Sequence, residues 1–340
     1  MAQPQYKIWI AESYSCQKDI IQLLKSSNLT HQLTIFCSHT RERPELALHA
    51  DFFVQQPPVR QSAEWLLEQC IQHGIHLLFC GKHCQFIEPL RAEFEAHNIQ
   101  LLTGAIGAEN HELMNNKYQF GLHCATQNLP YIPALLVNSA ESLINAIQAF
   151  KQQYTEICAK PVYGVYGSGF VHLRDDVSYF KKYEIATQSN TQQFIEAYSQ
   201  LAEPTDYLIM PFLAGQECSV DIACSRGQMI SQVTRIKYAF HQECFVQHPC
   251  HIICLHLVKY FQCDGLINIQ FKQDQNLVWH ILEINARPAG GFAYTQHTGV
   301  NLIAELIADK LQLTLHREPQ LSPVKVLPLT QSIKLDFFFF

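Results

Sequence analysis

Apolar and polar positions along the first hundred residues switch between two periods. Short apolar runs at 7–10, 33–37, 75–80 and 99–102 predict strands, and amphipathic stretches at 17–25, 63–72 and 88–97 predict helices. Strand and helix taking turns imply a parallel sheet covered by helices. No G-x-G-x-x-G follows the first strand, where residues 11–16 read Ala-Glu-Ser-Tyr-Ser-Cys, so a dinucleotide site of the usual kind is not expected there.

The pattern changes near Gly104. A helix is predicted over 113–124 carrying Lys117, then a short extended stretch at 131–137 interrupted by Pro133. Ser139 caps a helix running to 153, with Glu141 in its first turn. Strands at 156–160, 170–173 and 207–210 and a helix at 192–201 complete a small α+β unit. A third segment has predicted strands at 217–224, 229–237, 266–272 and 278–285, with helices at 251–261 and 300–310. Residues 317–340 read as a peripheral tail, and the closing Phe337–Phe340 is expected to pack against the body or a partner. The domain reading is 1–104, 105–211 and 212–340.

Two runs in the third segment carry chemistry. Asn268-Ile269-Gln270-Phe271 and Glu283-Ile284-Asn285-Ala286-Arg287 each alternate apolar and polar residues, as half-buried strands do. Their polar set is Gln270, Glu283, Asn285 and Arg287. It offers oxygen donors for a hard cation such as Mg²⁺ and a guanidinium for an anion. Pro288-Ala289-Gly290-Gly291 breaks the second run, and its glycines permit close backbone approach.

The run Lys160-Pro161-Val162-Tyr163-Gly164-Val165-Tyr166-Gly167-Ser168-Gly169 is the second signal. A lysine ends a strand and a glycine-rich loop follows, with backbone N–H groups open to phosphate oxygens. It is not a Walker A motif, because no G-K-[ST] closes it and a strand follows. A loop between two strands is suited to act as a lid. Read alone, it is equally an ordinary hairpin turn. The apolar linker 207–213 followed by Gly215-Gln216-Glu217 suits an adenine and ribose site, but read alone it fits a plain interdomain strand better.

Composition narrows the classes. With 340 residues, 48% hydrophobic, 16% charged and a net charge of −6, the chain is expected to be folded and soluble, with two or three modest domains. No Lys/Arg-rich run marks a nucleic-acid binder, and no apolar stretch reaches membrane-spanning length. The N-terminus lacks the charge and apolar core of a signal peptide, so a cytoplasmic location is expected and the 13 cysteines should be free thiols. The denser cluster His241, Cys244, His248, Cys250, His251, Cys254 and His256 does not match the usual zinc spacings, so no metal is expected there.

The order of the pieces is a lysine on a helix, K-P-x-x-G-x-x-G-S-G, a linker with a glutamate, N-I-Q-F, then E-I-N-A-R. This order resembles the ATP-grasp superfamily, and within it the carbamoyl-phosphate synthetase and biotin carboxylase type. The resemblance covers about residues 105–310, and the βα segment before it fits that superfamily's preceding domain. The opening segment (Ile8-Trp9-Ile10, then Cys37-Ser38-His39-Thr40) also resembles ATP-grasp proteins of bacterial tellurite-resistance-type gene clusters. The fold implied is α/β and α+β: an N-terminal Rossmann-like pre-ATP-grasp domain and a two-lobed ATP-grasp fold.

The resemblance implies roles. Lys117 and Lys160 would bind ATP phosphates, and Gly164, Gly167, Ser168 and Gly169 would form the lid loop. The Met210 carbonyl and the Phe212 N–H would pair with adenine, and Glu217 with ribose. Gln270 and Glu283 would hold Mg²⁺ (or Mn²⁺), with Asn285 assisting, and Arg287 would bind the transferred phosphate. Arg235 and Lys237, alternating on a strand, would hold substrate, against an equal alternative that they merely face solvent. This sequence departs from common members at Asn116, Met210-Pro211, Gln270 and Ala286.

The expected activity is ADP-forming ligation of a small-molecule carboxylate to an amine or other nucleophile through an acyl phosphate. Alternatives are carboxyphosphate or carbamate chemistry, and a nucleotide-binding regulatory module without turnover. Neither nucleic acid nor membrane is an expected partner, and a homodimer is the assembly the resemblance implies.

Overall fold

The computed structural model describes residues 6–330 apart from 166, 179 and 181–183, together with 332 and 334. The Phe337–Phe340 expectation lies outside the described residues.

The chain opens with β1 (Tyr6–Ser13), α1 (Gln17–Lys25), β2 (Leu33–His39), α2 (Pro44–Ala47), β3 (Phe52–Gln55), α3 (Val59–His73), β4 (Leu77–Gly81), α4 (Cys84–Ile87), α5 (Arg91–Ala96) and β5 (Gln100–Leu102). These five strands form a parallel sheet in the order β3-β2-β1-β4-β5. Edge strand β3 escaped sequence reading because it is short and no residue in it is fully buried. The helix expected at 88–97 is split, with a 3₁₀ turn at Glu88–Leu90 containing Pro89 before α5. The turn after β1 needs no glycines, because buried Gln17 holds it. Its Nε2 donates to Ile10 O (3.2 Å) and Ser38 O (2.9 Å), and its Oε1 accepts from Ser13 N (3.4 Å).

Next come β6 (Gly104–Ala105), α6 (Ala108–Asn115), α7 (Lys117–Thr126), β7 (Leu135–Val137), α8 (Ala140–Gln153), β8 (Ile157–Pro161), β9 (Val171–Arg174), β10 (Gln188–Asn190), α9 (Thr191–Ser199) and β11 (Tyr207–Pro211). The last part holds β12 (Glu217–Ser225), β13 (Gln228–Lys237), β14 (Gln242–Phe245), α10 (His251–Tyr260), β15 (Cys263–Gln273), β16 (Trp279–Asn285), α11 (Leu302–Leu311) and β17 (Val324–Val326).

Two compact units emerge. One comprises Met1–Glu112, Cys218–Gln270 and Ile284–Phe340, and the other Leu113–Glu217 and Phe271–Glu283. In the first unit a single apolar cluster joins α1 residues Ile20 and Leu24 to α11 residues Ile303, Leu306 and Ile307. A buried ionic knot ties the same unit together. Asp264, 1% exposed, takes Lys310 Nζ at 2.6 Å and Arg91 Nη1 at 3.1 Å, while Arg91 Nε holds Glu88 at 2.7 Å. Gly104 has φ +95°, and a Cβ there would lie 2.2 Å from Ala286 O, so both conformation and space require glycine. The remaining sheet runs β16-β15-β12-β13-β14-β17, with β6 on β15. Val324–Val326 pairs with β14, so the segment expected as a peripheral tail supplies an edge strand.

The second unit is built on the sheet β10-β9-β8-β11-β7, in which β8 is antiparallel to both β9 and β11. Helix α8 covers it through Leu143, Ile147 and Phe150. Ser139 Oγ accepts from Ser142 N at 3.1 Å, and Ser142 Oγ accepts from Ser139 N at 3.0 Å, a reciprocal cap where one was expected. The helix expected over 113–124 is instead broken at Asn116. Asn116 Oδ1 accepts from Gln119 N (3.0 Å) and starts α7 with Lys117 as its first residue.

Candidate active site

In the second unit, Lys160 near the end of β8 meets Glu283 on β16. Lys160 Nζ lies 2.6 Å from Glu283 Oε2, and each side chain is 15% exposed. A part-buried pair of this kind fixes the orientation of both groups. Cation and carboxylate are the two functions that a nucleotide phosphate and its metal require.

Lys117 is buried, and its Nζ donates to Gly164 O at 2.9 Å and reaches Val162 O at 3.5 Å. Its backbone N–H donates to Val162 O (3.2 Å), and Tyr131 Oη donates to its carbonyl (3.0 Å). Asn116 Nδ2 donates to Tyr163 Oη at 2.9 Å. The start of α7 is therefore stitched to the glycine-rich loop by main-chain and side-chain bonds. Tyr131 was not anticipated. Its ring fills the space beside Gly121, where a Cβ would come within 2.3 Å, and burial pushes its phenol above the ordinary value.

The loop itself joins antiparallel β8 and β9. Gly167 (φ +68°) and Gly169 (φ +75°) sit in the left-handed region, and Ser168 N donates to Val165 O at 3.1 Å. Tyr163 and Val165 are exposed, as a covering loop's residues would be, while Tyr166 lies outside the described residues.

The linker expectation is corrected in one respect. Phe212 N–H donates to Glu156 O at 2.9 Å, so the β8–β11 ladder already uses the group assigned to adenine. Met210 stands opposite Cys158 within the same ladder. What the linker does offer is an apolar surface of Ile132, Cys158 and Met210 with Ala134, Phe170, Phe212, Leu213 and Leu282. Phe212 also stacks on His172, centroids 3.7 Å apart and planes 5° apart. Glu217 is exposed, with Lys272 Nζ 3.5 Å away.

In the first unit, Gln270 is half-buried on β15, and Asn285 is half-buried at the end of β16. Its neighbour in the N-I-Q-F run, Asn268, is structural. Its Nδ2 donates to Asp221 Oδ1 (3.0 Å) and Val220 O (3.3 Å). Asp221 in turn holds Arg235 Nε at 2.5 Å, and Arg235 Nη1 donates to Gln242 Oε1 at 2.8 Å. Burial raises the Asp221 carboxyl pKa against the opposing pull of Arg235. The expectation that Arg235 binds substrate is thus corrected, because its guanidinium is buried in a structural ion pair. Only Lys237, two residues on, is exposed. Gly291 is where the broken strand passes Arg235, since a Cβ there would lie 2.7 Å from Nη1.

Arg287 has its guanidinium carbon 4.6 Å from the Tyr14 ring centroid, and Lys82 Nζ lies 5.7 Å from the same ring. Lys82 also contacts Glu12 Oε1 at 2.5 Å, while Thr40 N–H donates to Glu12 Oε2 at 3.1 Å. Burial alone would raise the Glu12 carboxyl, but Lys82, Thr40 and His39 outweigh it and hold it down at about 2. Glu12 near the end of β1, Tyr14 just after it and Lys82 just after β4 lie at the carboxyl ends of neighbouring strands, where the strand order reverses and open α/β sheets bind ligands. Glu12, Tyr14 and Lys82 went unnoticed in the sequence. The signal was their position at the carboxyl ends of the first and fourth parallel strands.

Residues 203–332 match a family described as "ATP-grasp in the biosynthetic pathway with Ter operon". No curated protein sequence matches the chain. Among solved structures, the ADP complex of purK, N5-carboxyaminoimidazole ribonucleotide synthetase, superposes with TM-score 0.67 at 17% identity, covering 96% of this chain and 82% of its own. Biotin carboxylase from Campylobacter jejuni gives 0.64 at 16% identity, covering 91% and 72%. L-amino acid ligase from Bacillus licheniformis gives 0.59 at 13% identity, covering 92% and 75%. The mixed α/β architecture, the family match over 203–332 and these superpositions together identify the chain as a protein of the ATP-grasp fold, of the type seen in biotin carboxylase.

Proposed function

We propose that this chain is an ATP-dependent, ADP-forming carboxylate–amine ligase. The observation that carries the reading is the second unit's Lys160–Glu283 pair, with buried Lys117 pinned to the adjoining glycine-rich loop. In this reading Lys160 and Lys117 bind ATP phosphates and residues 164–169 cover them. The apolar surface around Met210 and Phe212 takes the adenine, and Glu217 the ribose.

Glu283 fits as a Mg²⁺ ligand. Gln270 and Asn285 carry side-chain oxygens of the kind a hard cation takes. When bound, Mg²⁺ neutralises charge on the transferring phosphoryl group. Arg287, with Tyr14 and Lys82 beside it, is the proposed anchor for the acid or its acyl phosphate.

The substrate carboxylate oxygen attacks the γ-phosphorus, and the bond to the bridging oxygen of ADP breaks. The amine then attacks the acyl carbon, orthophosphate leaves with its C–O electron pair, and the amine loses a proton. Positioning and charge neutralisation supply most of such catalysis.

Phosphorus NMR of the protein with Mg-ATP and a pooled metabolite extract tests the reading. ADP and orthophosphate that appear only with the extract support it, and fractionation then leads to the acid and the amine. AMP with pyrophosphate would overturn the acyl-phosphate chemistry. ATP bound but never consumed, across extracts of varied origin, would point to a regulatory module instead.

A further inference from the structure

The densest group of soft donors lies in the first unit. Cys218 begins the run of β12 that belongs to this unit, and His248 and Cys250 stand just before α10. Their ligand atoms all lie within 4.8 Å of one another, the one such three-residue group among the described residues. Sequence spacing hid it, because Cys218 is 32 positions from Cys250, and other members of the local cluster face other partners: Cys244 Sγ faces Tyr294 O at 3.7 Å. His251 likewise has its Nε2 2.8 Å from Thr234 Oγ1.

We propose that Cys218, His248 and Cys250 bind a thiophilic divalent ion of the zinc class. Two thiolates and one imidazole are the donors that zinc selects. The geometry agrees with the chemistry. Two sulfurs each about 2.3 Å from a tetrahedral zinc stand about 3.8 Å apart, and the Cys218 and Cys250 sulfurs are 3.9 Å apart. Both cysteines are buried, which shields the thiolates, while His248 is half-buried and leaves an entry path from solvent. The Cys250 backbone N–H donates to His248 Nδ1 at 3.3 Å, which orients the ring beside the thiol before any ion arrives. Three protein ligands leave a fourth position for water or another small ligand. The ion would clamp the start of β12 to the entry of α10.

Binding exchanges thiol protons for metal–sulfur bonds, with no change of oxidation state. The test is Co²⁺ titration of the full chain, reduced with a phosphine and stripped of metal. A thiolate-to-cobalt charge-transfer band that saturates at stoichiometric Co²⁺ and is bleached by Zn²⁺ is the expected result. Cys218→Ser and Cys250→Ser should each abolish it, whereas Cys244→Ser should retain it. His248→Asn, at a half-buried position, should weaken cobalt binding at least tenfold while circular dichroism stays native. Zinc should raise the thermal midpoint of the wild type and not that of the variants. Absence of the band in native protein, or its persistence in Cys250→Ser or His248→Asn, would overturn the assignment.

Discussion

Lys160 Nζ and Glu283 Oε2 lie 2.6 Å apart across a sequence separation of 123 residues. Neither side chain is more than 15% exposed, so the contact lies largely out of bulk water. In the proposed reaction the lysine turns to phosphate and the glutamate to Mg²⁺. Glu283→Gln should therefore lower ATP-dependent turnover by at least about a hundredfold, equivalent to about 2.7 kcal/mol, and raise the Mg²⁺ concentration needed for half-maximal rate. Lys160→Ala should weaken ATP binding by roughly tenfold or more, about 1.4 kcal/mol. A coupled ADP-release assay with Mg²⁺ and ATP varied independently checks both. Unchanged Mg²⁺ dependence in Glu283→Gln would remove it from the ligand set.

Gly121 and Tyr131 make a second testable pair. Alanine inside a helix is normally about 1 kcal/mol better than glycine. Here its Cβ would meet the Tyr131 ring at 2.3 Å. Gly121→Ala should therefore destabilise the protein by about 1–3 kcal/mol. Because Tyr131 holds the Lys117 carbonyl, ATP affinity should fall as well. Urea unfolding and ATP titration measure the two effects. Adding Tyr131→Leu to Gly121→Ala should restore part of the stability without restoring the Lys117 bond.

Arg235 and Asp221 separate a structural role from a substrate role. Asp221→Ala leaves a buried guanidinium without its carboxylate, a change that costs about 3–5 kcal/mol in comparable cases. Urea midpoints should shift accordingly. Arg287→Ala, at a half-buried position, should shift the urea midpoint less than Asp221→Ala does, while raising KM for the acid. A large KM effect in Lys237→Ala with none in Arg287→Ala would move the acid's anchor to the exposed end of β13.

The pH dependence of stability is set in part by Glu12. Its folded carboxyl is held at about 2, well below the ordinary glutamate value of 4.5. A depressed folded value means that the unfolded state takes up protons first as pH falls. The contribution is complete above the unfolded value and is lost as pH drops from 4.5 through about 2. Its size is about 2–3 kcal/mol. Wild type should be more stable than Glu12→Gln at neutral pH, and the gap should close across that acid window. Equal stability of the two at neutral pH would mean that Lys82 and Thr40 gain nothing from the charge.

Much of the framework was legible from local pattern. The period-two runs located the strands, Ser139 marked a helix start through the short-range bond its side chain makes, and the order of lysine, glycine-rich loop, N-I-Q-F and E-I-N-A-R identified the fold. These are local properties, settled by backbone geometry within a few residues. What only the tertiary structure decided are relationships between distant positions. Alternation put Arg235 among the substrate residues, but buried Asp221 and Asn268 claim it. The Phe212 N–H, free in a sequence reading, is taken by Glu156 O because β8 and β11 pair in that register. Cys218 joins His248 and Cys250 only once β12 is folded beside α10. Periodicity states which face a side chain takes, while burial and long-range pairing determine which charge or thiol it meets there.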